Sequence, residues 1–274
     1  MPIKLIAVDM DGTFLNNQQD YDRRWFQELY PQLQAQGIKF VVASGNQYYQ
    51  LRSFFPEIAS QLAFVAENGA YVVEAEEEVF CGELAAETIQ EVLAELANYA
   101  EVHTLICGKN SAYVQDGEDP TFIQHASRYY HRLTTVANLR DLPEDTLFKF
   151  ALSTTVANVE PLIASLSAKF AGRITPVSSG HGDVDLIIPG IHKANGLKRL
   201  QAHWQIADEE VAAFGDSGND LEMLQHAGFS YAMANAQPAV KASAKTIIAS
   251  NQEQGVLQQI EKILAETNQE HIPS

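Results

Sequence analysis

Two aspartates separated by a single residue, Asp9 and Asp11, follow the apolar run Ile6-Ala7-Val8 and precede Gly12-Thr13. Carboxylates that close repel each other unless a positive charge, or a phosphoryl group in transfer, lies between them. A carboxylate at the end of a buried strand can attack phosphorus and carry the phosphoryl group as an acyl phosphate. A second carboxylate two residues on can protonate a departing oxygen and later deprotonate water. Both also suit Mg²⁺, a hard cation that takes oxygen ligands. Taken alone, the same residues also read as an Asp-Gly turn, with Gly12 permitting the bend.

Three further stretches add to this chemistry. Val41-Val42-Ala43 runs into Ser44-Gly45-Asn46. A small hydroxyl and a glycine N–H suit a phosphate oxygen, although Ser-Gly after a strand is by itself an ordinary turn. Lys193 opens a helical pattern within His192-Lys193-Ala194-Asn195-Gly196. A cation in a first helical turn opposes the helix dipole, so Lys193 is either a solvated surface lysine or has another purpose, such as holding a phosphoryl oxygen. His192 beside it reads as structural or exposed. Phe214-Gly215-Asp216-Ser217-Gly218-Asn219-Asp220 is the fourth stretch. Asp216 suits direct Mg²⁺ ligation, Asp220 suits support of that ligand or orientation of Lys193, and Asn219 is an uncharged donor to phosphate. Its alternative is an Asp-capped helix after a Gly-rich turn.

The elements that must position these residues alternate. Apolar strand patterns at 3–8, 38–43 and 62–66 are separated by helical patterns at 22–36 and from 47 to Phe55. The continuous apolar runs are those of strands buried on both faces of a parallel sheet. From Val79 the rhythm changes to helix 84–98, strands 103–107 and 111–115, helix 120–131, strand 147–153, helix 158–170 and strand 173–177. Strand 185–188, helix 193–204, strand 211–214, helix 219–226, short strands at 231–233 and 246–248, and helix 255–266 restore the alternation. The pattern predicts an α/β fold: a doubly wound parallel-sheet core, residues 1–82 and 187–274, with an inserted α+β domain at 83–186. All four chemical stretches follow strands, so they are expected along one edge of the core sheet. Ser178-Ser179-Gly180-His181-Gly182-Asp183 reads as a loop just before the chain returns to that core. His181 and Asp183 are its candidates for contacting substrate hydroxyls, against the alternative of a solvated turn.

Bulk properties bound the partners. The 274 residues are 46% hydrophobic, enough for a sizeable core, and no apolar run reaches the ~20 residues that span a bilayer. The formal net charge of −17 repels nucleic acid and anionic membranes, and demands a local positive cluster if the substrate is anionic. The N-terminal run reads as a strand rather than an export signal, and the two cysteines, Cys81 and Cys107, have no metal-type spacing and read as reduced thiols. The expectation is a cytoplasmic protein, monomer or weak dimer, that takes a small phosphorylated molecule.

With these residues in place, the chain resembles the haloacid dehalogenase superfamily. Its D-x-D-G-T, Ser-Gly, Lys and G-D-x-x-N-D motifs run in order through the whole length. The insertion falls between the second and third, as in the Cof-type branch with a C2B cap domain. VVASGNQYYQL, FVAENGA, DLIIPGIHKANG and GDSGNDLEML are similar to stretches of bacterial Cof-type sugar phosphatases. The resemblance implies Mg²⁺-dependent hydrolysis of sugar phosphates and other small phosphomonoesters. It implies Asp9 as nucleophile and metal ligand, Asp11 as general acid/base with its backbone carbonyl on the metal, and Asp216 as the remaining protein ligand. Ser44, Gly45, Lys193, Asn219 and the Met10 backbone would hold phosphate, and the cap would set specificity. Many relatives carry Thr-Gly-Arg where this chain has Ser44-Gly45-Asn46, so contacts made by that arginine do not carry over. Phosphotransfer to another acceptor, or hydrolysis of flavin mononucleotide or pyridoxal phosphate, uses the same chemistry. A phospho-receiver module would be far shorter and lack Asp11, and a binding protein without catalysis has no need of both aspartates.

Overall fold

The computed structural model describes residues 2–180 and 182–270. In chain order its elements begin with β1 (Leu5–Val8), α1 (Arg23–Ala35), β2 (Lys39–Ala43), α2 (Tyr48–Ser53), β3 (Ala63–Ala66), β4 (Tyr71–Glu74) and β5 (Glu77–Cys81). Next come α3 (Ala86–Leu96), β6 (His103–Gly108), β7 (Ala112–Gln115), α4 (Pro120–Ala126), β8 (Leu133–Val136), β9 (Leu147–Ser153), α5 (Val156–Lys169), β10 (Thr175–Gly180) and β11 (Asp183–Ile187). The chain closes with α6 (Lys193–Trp204), β12 (Val211–Gly215), α7 (Leu221–His226), β13 (Phe229–Met233), α8 (Pro238–Ser243), β14 (Thr246–Ile248) and α9 (Gly255–Glu270).

Two compact units result. One comprises the chain up to Gly45, Phe54–Val79 and the chain from His192; the other comprises Asn46–Ser53 and Phe80–Ile191. The expected division put 46–53 with the first segment and the crossings near 82 and 187. In the structure the helix α2 groups with the second unit. Gln47 bonds both the backbone N–H and the carbonyl of Arg132, and the Arg132 guanidinium lies 3.6 Å from the Tyr49 ring centroid.

The first unit is organised by a sheet of order β14-β13-β12-β1-β2-β3-β4-β5. Strands β12, β1, β2 and β3 are mutually parallel, so their C-terminal ends share one edge. The chain builds outward from β1 in one direction through β2 and β3, then returns to β1's other side as β12. The gap between β1 and β12 is therefore the topological switch point, where ligands of such sheets bind. Leu5, Ile6, Ala7 and Val8 are all fully buried, as a strand covered on both faces requires. Just beyond the site, Phe14 packs with Tyr21, Phe26, Phe40 and Phe55, which anchors the chain after the Asp9–Thr13 turn.

The second unit has its own sheet, of order β10-β11-β9-β6-β7-β8. Alternation sends Ile106, Tyr113, Phe150, Leu152, Val184 and Leu186 to one face, where residues of α3 and α5 complete a core. The intervening residues Leu105, Val114 and Ala151 face the other way, with Ala126, Phe122 and Ile123 from α4 packed against them.

Several expectations need correction. The hairpin β4–β5 and the strand β8 were not anticipated, because each is short and follows a turn signal closely. The helix expected over 120–131 stops at Ala126, and Tyr130 turns in to pack on the second cluster. The described ends of the presumed loop at 178–183 are strand rather than loop. Ser178–Gly180 belong to β10, Asp183 begins β11, and His181 lies outside the described residues. The strand preceding Lys193 is β11, which pairs with β10 and β9 and not with the core sheet. Lys193 therefore arrives at the N-terminus of α6 rather than from the sheet edge.

Candidate active site

At the switch point the backbone N–H of Asp9 donates to the Phe214 carbonyl at 3.1 Å, continuing the β1–β12 ladder by one step. Two residues further, β12 gives way to Asp216. The turn after Asp9 runs through Gly12 at φ +77°, a left-handed value that favours glycine, and a Cβ there would stand 2.5 Å from Asp216 Oδ2. Gly12 thus lets the two strand ends approach. Thr13 Oγ1 donates to Asp216 Oδ1 at 3.2 Å, and Asn235 Nδ2 donates to the Gly12 carbonyl at 2.8 Å.

Lys193 supplies the positive charge. Its side chain is fully buried, and Nζ donates to Asp9 Oδ1 at 2.6 Å and to Asp220 Oδ1 at 2.7 Å. Burial alone would lower its pKa; Asp220 first, and then Asp9, outweigh this and hold the ammonium above its usual range. Asp220 uses its other oxygen to accept from the backbone N–H of Asp216 at 2.9 Å and of Ser217 at 3.1 Å. Asp220 thus touches both groups the sequence left open for it, the Lys193 ammonium and the backbone of Asp216.

Carboxylate oxygens of Asp9, Asp216 and Asp220 lie within 4.8 Å of one another, the kind of set that holds a metal ion. Asp220 has both oxygens engaged, whereas Asp9 Oδ2 is buried with no hydrogen-bond partner. Burial, followed by the Asp220 charge, raises the Asp9 pKa well above the ordinary carboxylate value against the pull of Lys193. Burial and then Asp220 push Asp216 up to about 6, with Asp11 adding a smaller push. A hard divalent cation would satisfy the orphaned oxygen and reverse both effects, so the residues fit Mg²⁺. Asp11 is half-buried and stands outside the three-carboxylate set, close enough to act on Asp216.

The candidates for holding phosphate gather at the same edge. Ser44, 2% exposed, follows β2, with its backbone N–H on the Val65 carbonyl at 2.9 Å. Gly45 comes next, against the side chain of Asn68. Asn219 accepts from Ser217 Oγ at 2.7 Å and donates to Asn68 Oδ1 at 3.2 Å. Met10 is fully buried, with its carbonyl accepting from Leu15 and Thr13. Asn195 Oδ1 accepts from the His192 backbone N–H at 3.2 Å, which closes the first turn of α6. Asp183 lies on the second unit's sheet, half-buried, on the same strand face as Asp185 two residues on. Asp185 faces Lys149 at 3.8 Å, and that lysine is only 1% exposed. Sequence reasoning missed this pair, the Thr13 contact and Asn235. The D-x-D-G-T motif contained a signal for Thr13; the others had none.

A family model described as haloacid dehalogenase-like hydrolase matches residues 6–260. The 5-amino-6-(5-phospho-D-ribitylamino)uracil phosphatase YbjI of Escherichia coli K12 is 52% identical over 264 residues, 96% of this chain and 97% of that protein. YitU of Bacillus subtilis 168, which carries the same activity in its name, is 25% identical over 92% of this chain and 94% of its own length. The crystal structure of SMU.1108c from Streptococcus mutans UA159 superposes with a TM-score of 0.91 at 37% identity, covering 96% of this chain and 99% of that one.

Proposed function

This chain belongs to the haloacid dehalogenase-like hydrolases, and from that premise we propose that it is a Mg²⁺-dependent phosphatase of small phosphomonoesters that carry a sugar or polyol arm. The observation that carries the proposal is the buried chain Asp9–Lys193–Asp220, in which Asp9 keeps one oxygen out of any hydrogen bond. The name of the relative at 52% identity makes 5-amino-6-(5-phospho-D-ribitylamino)uracil the first substrate to test, ahead of hexose and pentose phosphates.

Asp9, Asp216 and the Asp11 backbone carbonyl would hold Mg²⁺, which when bound supplies positive charge to the transferring oxygens. Lys193 favours the ionised form of Asp9, holds its carboxylate in place, and offsets charge on the same oxygens. Asp9 attacks phosphorus in line, the ester P–O bond breaks, and Asp11 passes its proton to the departing alkoxide. Asp11, now a carboxylate, takes a proton from water as the water oxygen attacks the aspartyl-phosphate. Asp9 leaves as a carboxylate and inorganic phosphate is released. Ser44, Gly45, Asn219 and the Met10 backbone hold the remaining phosphate oxygens. Asp183 of the inserted unit is the candidate for contacting substrate hydroxyls.

Phosphate release would be measured from the ribitylaminouracil phosphate, hexose, pentose and erythrose phosphates, flavin mononucleotide and pyridoxal phosphate, with Mg²⁺ and with EDTA. The expected result is Mg²⁺-dependent release from polyol and sugar phosphates, abolished in Asp9→Asn without loss of the folded state. Near-normal turnover by Asp9→Asn would remove it as nucleophile. Release confined to flavin mononucleotide or pyridoxal phosphate would keep the mechanism and move the substrate. A stable phosphoprotein that hands its phosphoryl group only to an added alcohol would make the chain a phosphotransferase.

A further inference from the structure

The turn Glu67-Asn68-Gly69 at the end of β3 carries three successive positive φ values, 51°, 55° and 93°. Left-handed backbone suits glycine, is tolerated by asparagine and is costly for glutamate. Strain of this kind persists only where the surroundings impose it, and it concentrates at functional sites. Here the surroundings are the proposed phosphate cradle. The Asn68 backbone N–H donates to the Ser44 carbonyl at 3.0 Å. Its side chain lies against Gly45 so closely that a Cβ there would stand 3.0 Å from Oδ1 and 3.1 Å from Nδ2. Its Oδ1 accepts from Asn219 Nδ2 at 3.2 Å. On the other side of the turn, a Cβ on Gly69 would stand 2.5 Å from the His192 carbonyl, directly before Lys193.

We infer that Asn68 is a positioning residue for phosphate, acting through Asn219. The inference rests on the phosphatase reading above. Asn219 Nδ2 has two hydrogens, and the bond to Asn68 takes one. With Ser217 Oγ on Asn219 Oδ1, the carboxamide plane is fixed at both ends. The direction of the second N–H is thereby set before phosphate arrives, so no orientation has to be found on binding. The left-handed backbone of Asn68 brings its N–H to Ser44 and its carboxamide to Asn219 from a single residue.

The test separates side chain from backbone. Asn68→Ala would strain the turn at φ +55°, whereas Asn68→Gly keeps the conformation and removes only the carboxamide. With Mg²⁺ present, the inhibition constant of inorganic phosphate and the KM for p-nitrophenyl phosphate are expected to rise together in Asn68→Gly, by roughly tenfold, the scale of one oriented hydrogen bond to a charged group. The melting midpoint should stay close to the parent's. Because Asn68 acts through Asn219, the double variant Asn68→Gly/Asn219→Ala should bind phosphate no more weakly than Asn219→Ala alone. Parent-like phosphate inhibition in Asn68→Gly, or losses that multiply in the double variant, would overturn the inference while leaving the phosphatase reading intact. A parent protein that neither hydrolyses phosphomonoesters nor responds to phosphate would overturn both.

Discussion

Lys193 shows how a residue that is unfavourable locally becomes necessary globally. As the first residue of α6 it opposes the helix dipole, and as a fully buried ammonium it loses its hydration. Two carboxylates within hydrogen-bond reach offset both costs. Asp220 is in turn fixed by two backbone N–H groups, so the lysine rests on a carboxylate that cannot turn away. Gly12 works at the same scale, since its missing side chain is the space Asp216 Oδ2 occupies. Gly12→Ala should displace Asp216 and raise the Mg²⁺ concentration needed for half-maximal activity, by more than about tenfold given that a misplaced ligand or supporting group typically costs 10–100-fold in metal affinity. A Mg²⁺ titration of phosphatase rate reads this directly, and an unchanged midpoint would rule it out.

At the scale of elements, the site depends on how closely α6 approaches β3 and β4. Gly196 is the contact: a Cβ there would stand 2.4 Å from Val65 Cγ1 and 3.2 Å from Val72 Cγ2. The same helix buries Ala194, Leu197 and Leu200, so it has an apolar face seated on the sheet and a lysine at its start aimed along the edge. Gly196→Val should overpack this contact, lowering stability by about 1–3 kcal/mol, and lift Lys193 away from Asp9. The expected record is a lower denaturant midpoint together with a kcat loss larger than any change in KM. Parent-like values of both would show that α6 has room to spare. The sheet is less forgiving still, because β1 and β12 are buried throughout and carry Asp9 and Asp216 on a rigid frame.

Over the whole molecule, the formal charge of −17 is gathered most expensively where Asp9, Asp216 and Asp220 meet around one lysine. A cation that binds the folded site and not the unfolded chain stabilises by mass action, about 2.7 kcal/mol at a concentration one hundred times its Kd. Adding Mg²⁺ to EDTA-stripped protein should therefore raise the melting midpoint by several degrees, and Asp216→Asn should lose most of that rise. Scanning fluorimetry of the two proteins measures it, and identical curves with and without Mg²⁺ would argue against a metal at these carboxylates. No helix among the described residues is long and apolar enough to cross a membrane.

The alternating α/β core was legible in the sequence, as were the strand-end carboxylates and Lys193 that meet in the structure. These signals are local: apolar runs, turn residues and carboxylates at strand ends are read within a few positions. Tertiary structure alone decided what those residues touch. Lys193 meets Asp9 across 184 positions, and Asn219 meets Asn68 across 151. The route of Lys193 followed the same logic. The strand before it looked like any other core strand, but pairing partners place β11 in the second sheet, and a short apolar pattern does not name its partners. Asp220's commitment to the lysine, the strained turn at Asn68 and the buried Lys149–Asp185 pair likewise depend on distances between distant segments, which only folding sets.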